Sequence, residues 1–258
     1  MKRISAVAFA VVLLCVCASI SQAHFQVLKP STDIVTIRRD KRIDFDIRFT
    51  HPMEQGPVME MGQPKMFAVF FDGEKRDLTD SLEPVQIDGK TAYRASYTVK
   101  RPANYLFCLE PAPYWEPAEG KMIVHYTKVL VNGMGAGGGW DASAGLPVEI
   151  EPLVRPYGLW TGNIFRGVVR RDGKPVPHAE IEVEYYNEGG KVDIPSSPYV
   201  TQVIKADKNG VFSYAMPREG WWGFAALVEG DEKMENPDGE KVPVELGGLI
   251  WVRTRDMK

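Results

Sequence analysis

The stretch Ile43–Phe49, which reads IDFDIRF, alternates apolar and polar side chains without a break. Successive side chains of a β-strand point to opposite faces, so this pattern predicts a strand with one face on a core and the other in water. Further strand-like runs occupy residues 66–71, 92–99, 122–131 and 148–153, and Gly, Pro and Asp separate them. No stretch has the periodicity of a long amphipathic helix. The sequence therefore predicts an all-β protein.

A change in organisation near residue 155 predicts two β-sandwich domains in tandem, at residues 24–154 and 155–258. Residues 164–225 contain the segments GVV, DGKPVPHAEIEV and ADKNGVFSY, which resemble the small transthyretin-like or carboxypeptidase-regulatory-like β-sandwich. Those sandwiches are usually structural or adhesive, so the resemblance implies a fold for this half and little chemistry. For the N-terminal half we expect an immunoglobulin-like sandwich.

Residues 1–23 have the three parts of a cleaved secretory signal peptide. Met1–Arg3 is positively charged, Ile4–Ala18 is apolar, and small residues precede a cleavage site after Ala23. The apolar run of 15 residues is shorter than the ~20 that span a bilayer, so we expect a periplasmic protein with no membrane span after cleavage. Loss of Lys2 and Arg3 changes the net charge from −3 to −5. A mildly acidic chain without a basic patch argues against a nucleic-acid partner.

Cleavage after Ala23 would leave His24 as the first residue of the mature chain. Its free α-amine, with a pKa near ~8, and its imidazole Nδ1 can close a six-membered chelate ring on a metal ion. The chain has four histidines, and His24, His51 and His125 lie in the predicted N-terminal domain. These three residues are the candidate metal ligands. His178 lies in a turn of the C-terminal domain, and we do not expect it to be a ligand.

Three imidazoles and one amine offer up to four nitrogen donors. This donor set suits Ni(II), Co(II), Cu(II) or Zn(II) and is poor for Ca(II) or Mg(II), although it does not select among the first group. Alternative ligands or residues that orient the imidazoles are Glu54, Glu116, Met53, Met59 and Met61. The methionine thioethers would favour Cu(I), but packing of these flexible side chains against the core is the more ordinary role.

Two further features bear on catalysis. Cys108 lies in the apolar run YLFCL, where an unpaired thiol is most often a small buried hydrophobe. The sequence contains neither the Gly-x-Ser-x-Gly nor the His-Glu-x-x-His motif of hydrolases. We therefore expect a binding protein and not an enzyme.

Five segments together resemble the periplasmic NikM/NikK-like family of nickel and cobalt uptake systems. They are AHF at 23–25, FTHPMEQGPVMEMG at 49–62, PAPYWEPAE at 111–119, IVHYTKVLVN at 123–132 and RPYGLWTGN at 155–163. The resemblance implies a subunit that captures Ni(II), or Co(II), and passes it to an inner-membrane nickel/cobalt transporter. It also implies that His24, His51 and His125 bind the metal.

Three other functions stay open at this point. A copper carrier would use His24 with the methionines, and a copper monooxygenase would use an N-terminal histidine brace. A structural or adhesive pair of sandwiches would bind no metal.

Overall fold

The computed structural model describes residues 24–38 and 41–258. The predicted signal peptide, residues 1–23, and the cleavage bond lie outside the described residues. Within the described part, regular structure consists of β-strands and two short 3₁₀ turns, Thr79–Ser81 and Ser197–Tyr199. The predicted all-β fold with packed sheets is confirmed. Over these residues no helix has the length and apolar character needed to cross a membrane.

The strands form three sheets of four or more strands and one small hairpin. The five-stranded sheet contains β1 (Phe25–Pro30), β3 (Arg42–Thr50), β4 (Val58–Met59), β7 (Glu83–Ile87) and β8 (Lys90–Thr98). The eleven-stranded central sheet contains β2 (Ile34–Val35), β5 (Met66–Phe71), β6 (Glu74–Asp77), β9 (Ala103–Glu110), β10 (Tyr114–Glu116), β11 (Lys121–Gly133), β13 (Leu159–Trp160), β16 (Glu180–Tyr185), β17 (Gln202–Lys205), β19 (Gly220–Glu229) and β22 (Val244–Arg255). The four-stranded sheet contains β12 (Val148–Pro152), β14 (Ile164–Arg171), β15 (Lys174–Pro175) and β18 (Val211–Ala215), and β20 (Met234–Glu235) pairs with β21 (Lys241–Val242).

The central sheet joins the two halves of the chain. Its strand order is β17-β16-β19-β22-β11-β9-β5-β6, and β11 pairs in parallel with β22 from Met122↔Val244 to Val129↔Trp251. Strand β12, which precedes residue 154, pairs with β14, which follows it. The division into domains between residues 154 and 155 stays a prediction. The two halves share the central sheet and the four-stranded sheet that contains β12 and β14.

Both faces of the central sheet are covered. On one face, Trp251 packs at the edge of the Phe25 ring in a core shared with the five-stranded sheet. On the other face, Ile250 and Phe224 belong to a second core with Phe165 of the four-stranded sheet. Strands buried on both sides carry apolar residues in succession, which explains why β22 contains an unbroken apolar run over residues 249–252.

The strands that were predicted from alternation are present, and two further short strands lie in proline-containing stretches between them. Tyr114–Glu116 pairs with β11 as a short edge strand. Val58–Met59 pairs with the end of β3. Both are two- or three-residue strands, and edge positions tolerate neighbouring prolines because no second partner strand needs their N–H groups.

Candidate metal centre

Two of the three candidate histidines meet at one end of the five-stranded sheet. Strands β1 and β3 are antiparallel, and Phe25 lies opposite Thr50. His24 immediately precedes Phe25 and His51 immediately follows Thr50, so this register brings the two histidines together. Their ring centroids are 4.6 Å apart.

The third histidine approaches from the facing central sheet. His125 is a buried residue of β11, and its ring centroid is 5.8 Å from that of Phe49. The Phe49 ring in turn lies 5.5 Å from the ring of His24. His24 and His125 therefore each pack against the ring of Phe49, and His51 packs against His24, so the three predicted candidates lie close together where the ends of two sheets meet.

The surroundings keep the imidazole of His24 neutral at pH 7. Burial lowers the pKa of His24, and the nearby imidazoles of His51 and His125 lower it further, to about 4. The carboxylates of Glu119 and Glu245 act in the opposite direction but do not outweigh these effects. A neutral imidazole is the form that can donate a lone pair to a metal ion.

Carboxylates border the histidines on two sides. The Nε2 atom of His24 lies 2.8 Å from Oε2 of Glu116, whose side chain comes from edge strand β10. The Nε2 atom of His125 lies 3.4 Å from Oε1 of Glu245 on β22. The ammonium of Lys121 bridges Glu119 at 2.6 Å and Glu245 at 2.5 Å. Burial raises the pKa of Glu245, but the His125 and Lys121 contacts reverse this effect and lower it to about 2, so Glu245 is ionised.

The paired glycines Gly247 and Gly248 leave room on opposite faces of β22. A Cβ atom at Gly247 would lie 2.9 Å from Nε2 of His125, too close for any side chain. A Cβ atom at Gly248 would lie 2.8 Å from the backbone nitrogen of Glu149 in β12. The first glycine thus makes space for the His125 ring, and the second allows β12 to pass directly over the sheet.

The C-terminal half holds the segment that follows His51. The backbone N–H of Met53 donates to Oε2 of Glu184 at 3.1 Å. The side-chain amide of Asn187 donates to the carbonyl oxygen of Met53 at 3.1 Å, and its backbone N–H donates to the carbonyl oxygen of Pro52 at 3.1 Å. These contacts fix the backbone directly after His51.

The other predicted site residues lie in different environments. Met53, Met59 and Met61 are buried, and the last two belong to the core between the five-stranded and central sheets, which agrees with a packing role. Glu54 is half-buried. Cys108 is fully buried, and burial raises the pKa of its thiol to about 12.

His178 is exposed in the turn before β16, as the sequence predicts. Its backbone has a φ of 58°, in the left-handed region.

The imidazole groups of the cluster already make contacts with protein side chains. Among residues 24–38 and 41–258, no three His, Cys, Asp or Glu side chains are arranged so that they could hold a metal ion. His24 and His125 each face a carboxylate through Nε2. A metal ion that binds here would therefore have to exchange with these contacts. Beside His125, Phe49 and Tyr114 lies a narrow pocket of about 20 Å³, enough for one water-sized species.

Several residues of this cluster were missed from the sequence. Glu245 and Gly247 come into register with Ile123 and His125 by pairing between strands that are more than 100 residues apart in the chain. Glu182 and Glu184 alternate with apolar residues in EIEVEY, a pattern typical of a solvent-facing strand, yet both are buried. The alternation in EIEVEY places three glutamates on one face of a single strand. This unusual repetition was the one sequence feature that could have drawn attention to the buried carboxylates.

The fold and the histidine cluster define an all-β protein with a buried site of imidazoles and carboxylates. A family model described as "Domain of unknown function (DUF4198)" matches residues 21–230. The chain therefore belongs to the DUF4198 family. No curated protein matches it.

Solved structures with detectable similarity have low TM-scores. A candidate carbohydrate binding protein from Bacteroides uniformis ATCC 8492 is 10% identical, with 78% of this chain and 94% of that chain covered and a TM-score of 0.23. A DUF3823 family protein from the same strain is 12% identical, with 78% and 95% covered and a TM-score of 0.22. BcpA, the major pilin subunit of Bacillus cereus, is 11% identical, with 91% and 69% covered and a TM-score of 0.21. Similarity at this level carries no argument about function.

Proposed function

We propose that the protein captures Ni²⁺, or Co²⁺, in the periplasm through His24, His51 and His125 and delivers it to an inner-membrane uptake transporter. The observation that carries the proposal is the convergence of three of the four histidines, which are separated in sequence. His24 and His125 pack against the ring of Phe49, and His51 packs against His24. Imidazole nitrogens suit late first-row divalent ions. Cleavage after Ala23 would add the α-amine of His24 as a further nitrogen donor.

Two features of the cluster support a cargo that is bound and then released. Each of His24 and His125 has a carboxylate partner, which can pair with the imidazole again when the metal leaves. The cluster also lies at a sheet end, where His24 retains some exposure while His51 and His125 are buried. The burial of Met59 and Met61 in the core favours nitrogen ligands over thioether ligands.

Calorimetric titration with Ni²⁺ tests the proposal on protein that begins at His24, with its intact mass confirmed. A matched protein carries one extra N-terminal alanine, which removes the α-amine from His24. We expect the first to bind and the second to bind at least about tenfold more weakly, because a chelate ring is lost. The control is His178→Asn, which removes an exposed imidazole at a left-handed position that Asn tolerates, and it should bind like the wild type.

Delivery is tested in cells that depend on nickel. Cellular nickel, measured by elemental mass spectrometry, should fall when the chromosomal copy carries His51→Ala, and it should be unchanged with His178→Asn. A protein that begins at His24 and shows no heat of binding with Ni²⁺ or Co²⁺ would contradict the proposal. Binding of Cu²⁺ alone, with reductant-dependent cleavage of polysaccharide, would favour the monooxygenase instead.

A further inference from the structure

The ring of His125 has one nitrogen with a partner and one without. Nε2 faces Oε1 of Glu245, and the Nδ1 atom is buried and has no hydrogen-bond partner among the described residues. The Cδ2–Nε2 edge of the ring lies against Gly247 on β22, so Nδ1 lies on the edge that points away from that strand. Burial of a polar atom without a partner destabilises a fold, so such an atom in a native structure requires an explanation.

We propose that Glu245 is a positioning residue of the metal site, which fixes His125 in the tautomer that presents the Nδ1 lone pair to the metal. The proposal rests on the function proposed above. A carboxylate can only accept a hydrogen bond, so the contact with Glu245 requires the proton on Nε2. A neutral imidazole carries one N–H, and Nδ1 is then an acceptor. An outer carboxylate of this kind is the usual device by which proteins orient a metal-binding imidazole.

The two oxygens of Glu245 have separate partners, which fixes the carboxylate itself. Oε2 accepts from the ammonium of Lys121 at 2.5 Å, and Oε1 faces His125. Lys121 is also held by Glu119 at 2.6 Å. The chain of contacts from Glu119 through Lys121 and Glu245 to His125 therefore sets the orientation of the ring before any metal binds.

The tautomer of His125 can be measured without metal. Long-range ¹H–¹⁵N NMR on the apo protein should show a protonated Nε2 and an unprotonated Nδ1. Glu245→Met should remove this preference. Glu245→Gln has one acceptor oxygen for two donors, and the ammonium of Lys121 takes it. The amide NH2 group then faces Nε2 of His125, so the proton should move to Nδ1. The control is Glu229→Gln, since Glu229 lies opposite Glu245 in the antiparallel register but is exposed.

The same variants then give the effect on affinity. Ni²⁺ affinity should fall about 10–100-fold in Glu245→Met and in Glu245→Gln, and stay unchanged in Glu229→Gln. A structural role alone would not move the proton of His125 in the nearly isosteric Gln variant. If Glu245→Met does not fold, which circular dichroism would reveal, the wild-type tautomer and the Gln variant still decide.

Two results would overturn the proposal. One is a wild-type His125 with its proton on Nδ1, and the other is a folded Glu245→Met protein with wild-type nickel affinity. A wild type that has the expected tautomer but binds neither Ni²⁺ nor Co²⁺ would overturn the metal site and leave the orientation of His125 by Glu245 intact.

Discussion

Strand β11 carries a buried lysine and a buried histidine on opposite faces, and of these two only the lysine has a hydrogen-bond partner at every side-chain nitrogen. Lys128 is 1% exposed and pairs with Glu149 at 2.6 Å. Glu149 also accepts hydrogen bonds from the Ser143 hydroxyl and from the backbone N–H groups of Ala144 and Gly145. His125, three residues earlier, is 2% exposed, yet its contact with Glu245 leaves Nδ1 without a partner among the described residues.

The difference separates a structural ion pair from a residue that, under the proposed function, binds a metal ion. The Lys128–Glu149 pair ties the loop at residues 143–145 to the central sheet, and the bonds around Glu149 compensate for the cost of burying its charge. The pair therefore has no coordination position to offer. On the opposite face, Nδ1 of His125 is buried without a hydrogen-bond partner among the described residues, an energetic cost that the fold itself does not offset.

The largest effect on stability is expected for Lys128→Met. Removal of one partner leaves Glu149 as a buried charge without its counterion, which typically costs about 3–5 kcal/mol in the free energy of unfolding. Urea denaturation followed by circular dichroism measures this loss. Nickel affinity of the folded variant should match the wild type, because Lys128 lies on the opposite face of the sheet from His125. A loss of nickel affinity without a loss of stability would contradict the assignment of the two faces.

A third buried group, Glu182, lies on the His125 face of the sheet. Lys121 is the nearby cation that acts on it, and within the part of the chain that the structure describes this attraction does not offset the burial of Glu182. Burial raises its pKa, and the charges of Glu245 and Glu180 raise it further, to about 8. Because the folded pKa exceeds the unfolded value of about 4.5, the stability contribution is complete below pH 4.5 and is lost as pH rises towards 8. The loss is at most about 1.4 kcal/mol per pH unit.

Glu182→Gln should remove this dependence. The variant and the wild type should have similar stability near pH 4.5 and should diverge up to pH 8, where the variant is more stable. Urea denaturation at each pH measures the difference. Glu235→Gln is the control, since Glu235 is exposed on β20, is not among the charges that shift the pKa of Glu182, and should leave the pH dependence unchanged. Parallel pH curves for Glu182→Gln and the wild type would contradict the prediction.

A smaller loss of stability is expected for Asn187→Ala, which removes hydrogen bonds between the C-terminal half and the segment after His51. Asn187 is 2% exposed, and its side chain bonds to Met53 and to both backbone groups of Val192. Asn187→Ala leaves these buried groups without partners, which costs about 1–3 kcal/mol. Nickel affinity should fall as well, because the backbone after His51 is no longer fixed. The exposed Asn209→Ala serves as the control for both measurements, and an unchanged Asn187→Ala affinity would show that His51 is held without this contact.

The three imidazoles were predictable because the residue types themselves indicate metal chemistry. His24 was selected by the predicted cleavage site, His51 by its place at the end of an alternating strand, and His125 by its place in an apolar strand. These are local signals, and a sequence displays them directly. The strand pattern predicted the all-β fold for the same reason.

The residues that hold the imidazoles were not predictable from local patterns. Glu245 meets His125 because β22 pairs in parallel with β11, and nothing in either strand specifies that partner. Asn187 reaches Met53 across 134 residues. The transthyretin-like resemblance of the C-terminal half implied little chemistry there. Its side chains nevertheless contact the site, Asn187 at the segment after His51 and Glu245 at the ring of His125.

The smallest change in stability, and the sharpest test of the comparison, is expected for His125→Gln. The glutamine amide can still donate to Glu245, which also keeps its contact with Lys121. Nothing is lost at Nδ1, because that atom has no partner within the described residues, so the free energy of unfolding should change by less than about 1 kcal/mol. Nickel affinity should nevertheless fall at least about tenfold, since an amide is a poor ligand for this ion. Lys128→Met and His125→Gln would then be opposites, the first with lost stability and intact binding and the second with intact stability and lost binding. A His125→Gln protein that loses several kcal/mol would place His125 with Lys128 among the residues that serve the fold.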